Sequence, residues 1–270
     1  MSQRNWQSGE VTSNGLRLHY TRTGGDLPPL VLSHGFTDNG LCWTPLADAL
    51  QADFDVIMPD ARGHGLSEAP EDGYDQMSQV NDLADLIHGL GLKQPILLGH
   101  SMGAATTMTL AGTYPTVPRA IILEDPPDWW TAPPQPAGFN DWIPVVKSKT
   151  REQLISEQQV ATPGWSLDEI EPWADSKLQL SWNALNVLKP GNLSLDWTTV
   201  FGKITCPTLL IPADPAVGAA IGPAGIAFLQ TLIPHIEVAP IAGAGHSVRR
   251  DQFEAYLRVV RAFLNRIVAS

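Results

Sequence analysis

The sequence predicts an α/β protein: a mostly parallel central sheet with helices on both faces and an inserted helical cap. Three observations carry this. Short all-apolar runs, such as Leu30-Val31-Leu32 and Ile96-Leu97-Leu98, alternate with segments of helical spacing, the pattern of strands buried on both faces. Chemically suggestive residues follow directly after those runs, where open parallel sheets place their ligands. The alternation stops once, after residue 125, and resumes at Thr208-Leu209-Leu210-Ile211.

In chain order, residues 11–21 read as a hairpin. Asn14-Gly15 suits a type I′ turn, and Leu16, Leu18 and Tyr20 alternate with polar residues. The strand at 30–32 runs into Ser33-His34-Gly35-Phe36. A helix is expected over 42–50, then a strand over 55–58. Val80, Leu83, Ala84, Ile87 and Leu90 give a helix over 77–90. A strand at 95–98, a helix to about residue 113 and a strand at 120–123 complete the first half. Residues 126–201 hold Trp129, Trp130, Trp142, Trp165, Trp173, Trp182 and Trp197, and a cluster of prolines at 126, 127, 133, 134 and 136. Two helices are expected there, at 147–160 and 167–188. This segment reads as a cap inserted into a core of 1–125 and 202–270, one domain overall. Trp129 and Trp130 are candidates for lining a substrate pocket, although most of the tryptophans are expected to pack the cap onto the core. A strand ending at Asp214, a helix at 226–232, a strand at 236–238 and an amphipathic helix at 251–267 finish the chain.

With 28 acidic against 17 basic side chains the formal net charge is −11. Such a surface repels nucleic acid and anionic membranes, and the lone basic pair, Arg249-Arg250, reads as a helix start. Cys42 and Cys206 are the only cysteines, so no disulfide framework is implied. Residues 1–9 are polar and lack a signal-peptide core, and no apolar run approaches the length of a membrane span. The expectation is a soluble cytoplasmic protein, a monomer or homodimer, acting on a small molecule. Neither a metal-ligand pattern nor a nucleotide loop is present in the sequence, so no cofactor is expected.

The chemistry centres on Gly99-His100-Ser101-Met102-Gly103. A serine on a sharp strand-to-helix turn needs strained dihedrals, and the two glycines remove the side chains that would collide. The Met102 N–H then opens a helix, where the dipole favours a developing negative charge. His246, in the glycine-bearing loop Ala242-Gly243-Ala244-Gly245-His246-Ser247, suits the general base that a serine nucleophile requires. Suitable groups thus occur in the order serine, acid, histidine.

These segments resemble the α/β-hydrolase superfamily, in its capped esterase and lactonase branch, over nearly the whole chain. His34-Gly35-Phe36 resembles the oxyanion loop, Asp60-Ala61-Arg62-Gly63-His64-Gly65-Leu66-Ser67 the D-x-R-G-x-G-x-S loop, and residues 99–103 the nucleophile elbow. The resemblance implies the α/β-hydrolase fold, Ser101 as nucleophile, His246 as base, and the Phe36 and Met102 amides as oxyanion hole. It places His34 and His64 near the site, with His34 expected to line the substrate pocket, His100 beneath the elbow, and Asp60 with Arg62 as a structural pair. The acid has two candidates. The family's usual loop, after the strand at 208–211, favours Asp214, two residues out of register. Some relatives carry the acid one strand earlier, where Asp125 stands and Glu124 points to the opposite face. The implied activity is hydrolysis of a carboxylic ester or lactone of an apolar or aromatic small molecule. A lactone-binding receptor, a carbon–carbon bond hydrolase or a cofactor-free perhydrolase shares the same framework, and a catalytically dead descendant is a further alternative.

Overall fold

The computed structural model describes residues 4–131, 137–189 and 191–269; the prolines at 133, 134 and 136 lie outside them. The elements, in order, are β1 (Gln7–Ser13), β2 (Leu16–Arg22), β3 (Pro29–Ser33), α1 (Thr44–Leu50), β4 (Asp55–Pro59), α2 (Gln76–Gly89), β5 (Ile96–His100), α3 (Met102–Thr113) and β6 (Ala120–Glu124). Then follow α4 (Ala137–Lys147), α5 (Arg151–Ala161), α6 (Leu167–Gln179), α7 (Trp197–Phe201), β7 (Thr208–Ile211), α8 (Pro223–Leu232), β8 (Glu237–Val238), α9 (Val248–Asp251) and α10 (Phe253–Ala269). The eight strands form one sheet in the order β1-β2-β4-β3-β5-β6-β7-β8. Only the β1–β2 and β2–β4 pairs are antiparallel.

Strand alternation divides the core into two layers. Leu30, Leu32, Val56, Leu98, Ile122 and Leu209 face α1 and α10. Val31, Ile57, Leu97, Ile121, Leu123 and Leu210 face α2, α3 and α8. Asn14 and Gly15 both take positive φ, as the hairpin turn requires. None of the described helices is long and apolar enough to cross a membrane.

Several boundaries differ from the sequence reading. The helix expected over 42–50 is a 3₁₀ turn, Gly40–Trp43, followed by α1 with Pro45 in its first turn. The helix expected over 167–188 breaks at Leu180, because the Ser181 N–H donates to the Gly63 carbonyl at 2.8 Å. A 3₁₀ segment, Trp182–Leu188, takes over. α7 lies outside both expected helices and α4 meets the first only at Lys147; Asp196 caps α7 by accepting from the Thr199 N–H at 3.1 Å. The last helix is two, parted at Gln252, whose φ of −137° and ψ of 55° are not helical.

The join of β5 to α3 is sterically tight. A Cβ on Gly99 would lie 2.3 Å from the Gly103 carbonyl oxygen and one on Gly103 2.2 Å from that of Ser33. Backbone atoms cannot rotate aside. Gly99→Ala is therefore expected to lower folding stability by about 2–3 kcal/mol, read as a lower urea midpoint at unchanged slope.

Candidate active site

Ser101 sits at the β5–α3 junction with φ 51° and ψ −119°, a conformation rare for a residue bearing a Cβ. Its N–H donates to the Glu124 carbonyl at 3.0 Å, so the neighbouring strand end holds the turn. His246 reaches it from the loop before α9. Nε2 of His246 is 2.9 Å from Ser101 Oγ, and Nδ1 is 2.6 Å from Asp125 Oδ2. A carboxylate only accepts, so Nδ1 carries the proton and donates to Asp125. Nε2 then offers its lone pair to the serine O–H.

Asp125 is fully buried, and its own φ is 38°. Its Oδ1 accepts the N–H of Ala213 at 3.1 Å and of Ile221 at 3.4 Å, and Oδ2 that of Ala220 at 2.8 Å. Main-chain donors from the loop after β7 therefore fix the carboxylate that orients the imidazole. Asp214, the residue favoured by location in the sequence, is not at His246. One of its oxygens accepts the Gly243 N–H and the other the Ala216 N–H, both at 2.9 Å. Those two bonds hold its carboxyl below the usual range. Standing two residues early, Asp214 braces the loop that carries His246 from outside. Glu124 turns the other way from Asp125 and accepts the Arg249 N–H at 2.9 Å.

The N–H groups of Phe36 and Met102 have no hydrogen-bond partner among the described residues. Met102 is the first residue of α3, so its amide lies at the positive end of the helix dipole.

His34 is a splice between two loops. Its Nδ1–H donates to the Gly35 carbonyl at 2.8 Å, and Nε2 accepts the Ala61 N–H at 3.0 Å. With both nitrogens occupied, it has none left for a substrate. Its ring instead borders a cavity of about 50 Å³, behind Met102 and Gly103. Trp130 packs in an aromatic cluster with Phe201, Trp197 and Phe228, at ring distances of 5.3, 6.3 and 6.4 Å. That cluster packs against the α3–α8 layer. Trp129 packs against the apolar cluster of Tyr74, Met102, Ile143 and Phe36. Asp60 and Arg62 do not pair with each other. Asp60 holds His19 at 2.8 Å, and Arg62 holds Asp82 at 2.6 Å. His100 does lie beneath the elbow, and its Nε2–H donates to the main-chain carbonyl of His246 at 2.9 Å.

Sequence reasoning missed a buried set of charges directly below these loops. Asp38 meets Lys177 at 2.9 Å, Arg250 at 3.0 Å and Arg249 at 3.3 Å. Arg249 also reaches Glu124 at 3.3 Å, and Arg250 reaches Glu169 at 3.1 Å. All six are buried. The cations outweigh the burial penalty on Asp38 and hold its carboxyl well below the usual range. The Arg249-Arg250 pair was visible in the sequence, but its three acidic partners come from distant segments. Among the described residues, no cluster of His, Cys, Asp or Glu is placed to hold a metal ion.

A match to the alpha/beta hydrolase family covers residues 30–259. The chain belongs to that family. Over 95% of its length this family member is 29% identical to the N-formylmaleamate deformylase of Pseudomonas putida strain KT2440, spanning 96% of that protein. It is 26% identical to the 2-(acetamidomethylene)succinate hydrolase of Mesorhizobium japonicum, over 95% of the chain and 93% of the relative. The crystal structure of an N-formylmaleamic acid deformylase from Pseudomonas putida S16 superposes with a TM-score of 0.80 at 26% identity, covering 94% of this chain and all of that one. Hydrolase activity is the shared property of these relatives.

Three buried histidines give the hydrolase a distinctive acid response. Burial holds His34 below the ordinary imidazole range and His100 well below it. Burial, with His34 alongside, pushes His64 down to about 3. Unfolding restores ordinary values near 6.5, so the unfolded chain binds more protons in this window and stability falls with pH. Between pH of about 6.5 and 5, His64 alone is expected to remove between about 1 and 2 kcal/mol. His64→Asn, which keeps a donor for the Arg62 carbonyl, is expected to flatten the slope of urea stability against pH in that window.

Proposed function

We propose that this hydrolase cleaves a carboxylic ester or lactone of a neutral, largely apolar small molecule through an acyl-enzyme on Ser101. The observation that carries the reading is the line from Ser101 Oγ to His246 Nε2 to Asp125, beside two unpaired main-chain donors. Ser101 Oγ attacks the carbonyl carbon as its proton passes to His246 Nε2, and Asp125 stabilises the imidazolium. The carbonyl oxygen becomes an oxyanion that accepts from Phe36 and Met102 N–H. His246 returns the proton to the leaving alkoxide as the ester C–O bond breaks. Water then attacks the acyl group, its proton going to His246, and the serine leaves as an alcohol with that proton.

Electrostatics favour an uncharged substrate. The cations nearest these loops, Arg62, Lys177, Arg249 and Arg250, each spend their charge on a buried carboxylate of the protein. The helices between β6 and β7 act in this reading as a cap, and Trp129, Tyr74 and Ile143 supply the apolar wall. A second reading, hydrolysis of an N-acyl amide by the same residues, is favoured by the full-length likeness to a deformylase.

Ser101→Ala is expected to abolish turnover of p-nitrophenyl acetate and labelling by a fluorophosphonate, and survival of either rejects the mechanism. Asp125→Asn is expected to lower kcat by about 10⁴-fold, whereas Asp214→Asn stays within about twofold. The reverse ranking makes Asp214 the acid. Parallel assays with a phenyl ester and the corresponding N-formyl amide decide between the two substrate classes.

A further inference from the structure

The loop that carries the Phe36 amide is built on an unfavourable backbone. The Asp38 N–H donates to the Gly35 carbonyl at 3.1 Å, closing a four-residue turn with Phe36 and Thr37 at its centre. Thr37 has φ 71°, a value that suits glycine at that turn position. A β-branched residue there is strained and persists only if its surroundings hold it. What holds it is a residue 140 positions away. Lys177 Nζ, on α6, donates to the Thr37 carbonyl at 2.8 Å, to Asp38 Oδ1 at 2.9 Å and to Ser176 Oγ at 3.1 Å. These three acceptors use all three ammonium protons. The side chain is buried, and Asp38 is held from its other side by Arg249 and Arg250.

We propose that Lys177 is a positioning residue: α6 of the inserted segment holds the strained Thr37 turn through it and so aims the Phe36 N–H at the oxyanion. Docking of the insertion and competence of the oxyanion hole then become one event, because lifting α6 frees the Thr37 carbonyl. Thr37 would relax to negative φ and rotate the turn that bears the Phe36 amide. The proposal rests on the serine-hydrolase reading, since only there does that amide have an oxyanion to meet.

The test is a rescue. Lys177→Met keeps an unbranched side chain and removes the three donated bonds. It is expected to lower kcat about 30-fold with KM little changed, because an oxyanion donor acts in the transition state. Adding Thr37→Gly removes the strain without restoring any bond to α6, and the double variant is expected to recover at least about tenfold of that loss. If kcat of folded Lys177→Met equals wild type, or if the double variant is as slow as the single one, the proposal is overturned. If Lys177→Met does not fold, Lys177→Gln carries the same comparison, with recovery on adding Thr37→Gly again required. A second readout does not need turnover. The Phe36 amide resonance is expected to move in Lys177→Met and return in the double variant; an unmoved resonance overturns the coupling. Absence of Ser101-dependent ester cleavage in wild type, with the resonance still moving and returning, counts against the activity and leaves the positioning role standing.

Discussion

Hydrogen bonding among β3, β5 and β6 is the constraint from which the site follows. In their parallel register Ser33 lies beside Gly99, and His100 beside Glu124. Adjacent strands sit ~4.8 Å apart, so the residues just past these three ends emerge side by side. One end gives the loop with Phe36, the next gives Ser101, and the third gives Asp125. Only the imidazole must come from elsewhere. It is delivered by the loop before α9, with Asp214 bracing that loop at Gly243 and His100 holding the His246 carbonyl. Chemistry at the ends of a parallel sheet thus needs few long-range contacts, provided that the register is kept.

The buried charges play a different part from the apolar layers. Asp38, Glu124 and Glu169 balance Lys177, Arg249 and Arg250, three against three, in a region from which water is excluded. Such clusters contribute little net stability, because desolvation offsets much of the attraction, but removing one member is costly. Each member adjoins something the proposed chemistry needs. Asp38 follows the Phe36 turn, Glu124 precedes Asp125, Arg249 and Arg250 follow His246, and Lys177 and Glu169 belong to α6. The network ties together segments that the sheet alone leaves independent.

How much of this was legible in the sequence depends on whether a local constraint wrote it there. The elbow was legible, because a strained serine demands glycine at 99 and 103 whatever the rest of the fold does. So were the strand ends, whereas the loop His34-Gly35-Phe36 was read by resemblance. The candidate acid was ambiguous for a physical reason. Asp125 and Asp214 follow neighbouring strands, Asp214 two residues beyond the register position of Asp125, and which one faces His246 depends on main-chain donors from Ala213, Ala220 and Ile221, whose placement is tertiary. The ion network was invisible because single charges in a polar sequence look solvated. Arg249-Arg250 does open a helix, α9, and only the tertiary fold brings Asp38 and Glu169 beside it. The inserted helices were misdivided because the break at Leu180 comes from a bond to Gly63, more than a hundred residues earlier.

Strain unites these observations. Of the five described non-glycine residues with positive φ, three are Thr37, Ser101 and Asp125. Each such residue costs of the order of 1–3 kcal/mol, and all three stand at the strand ends that form the site. Each also has an identifiable restraint. The Ser101 N–H is bonded to Glu124, the Asp125 N–H to Ile211, and the Thr37 carbonyl to Lys177. The first two restraints come from neighbouring strands and form with the sheet itself. The third comes from a helix outside the sheet, so Thr37 is the one strained position whose support depends on how the insertion is seated.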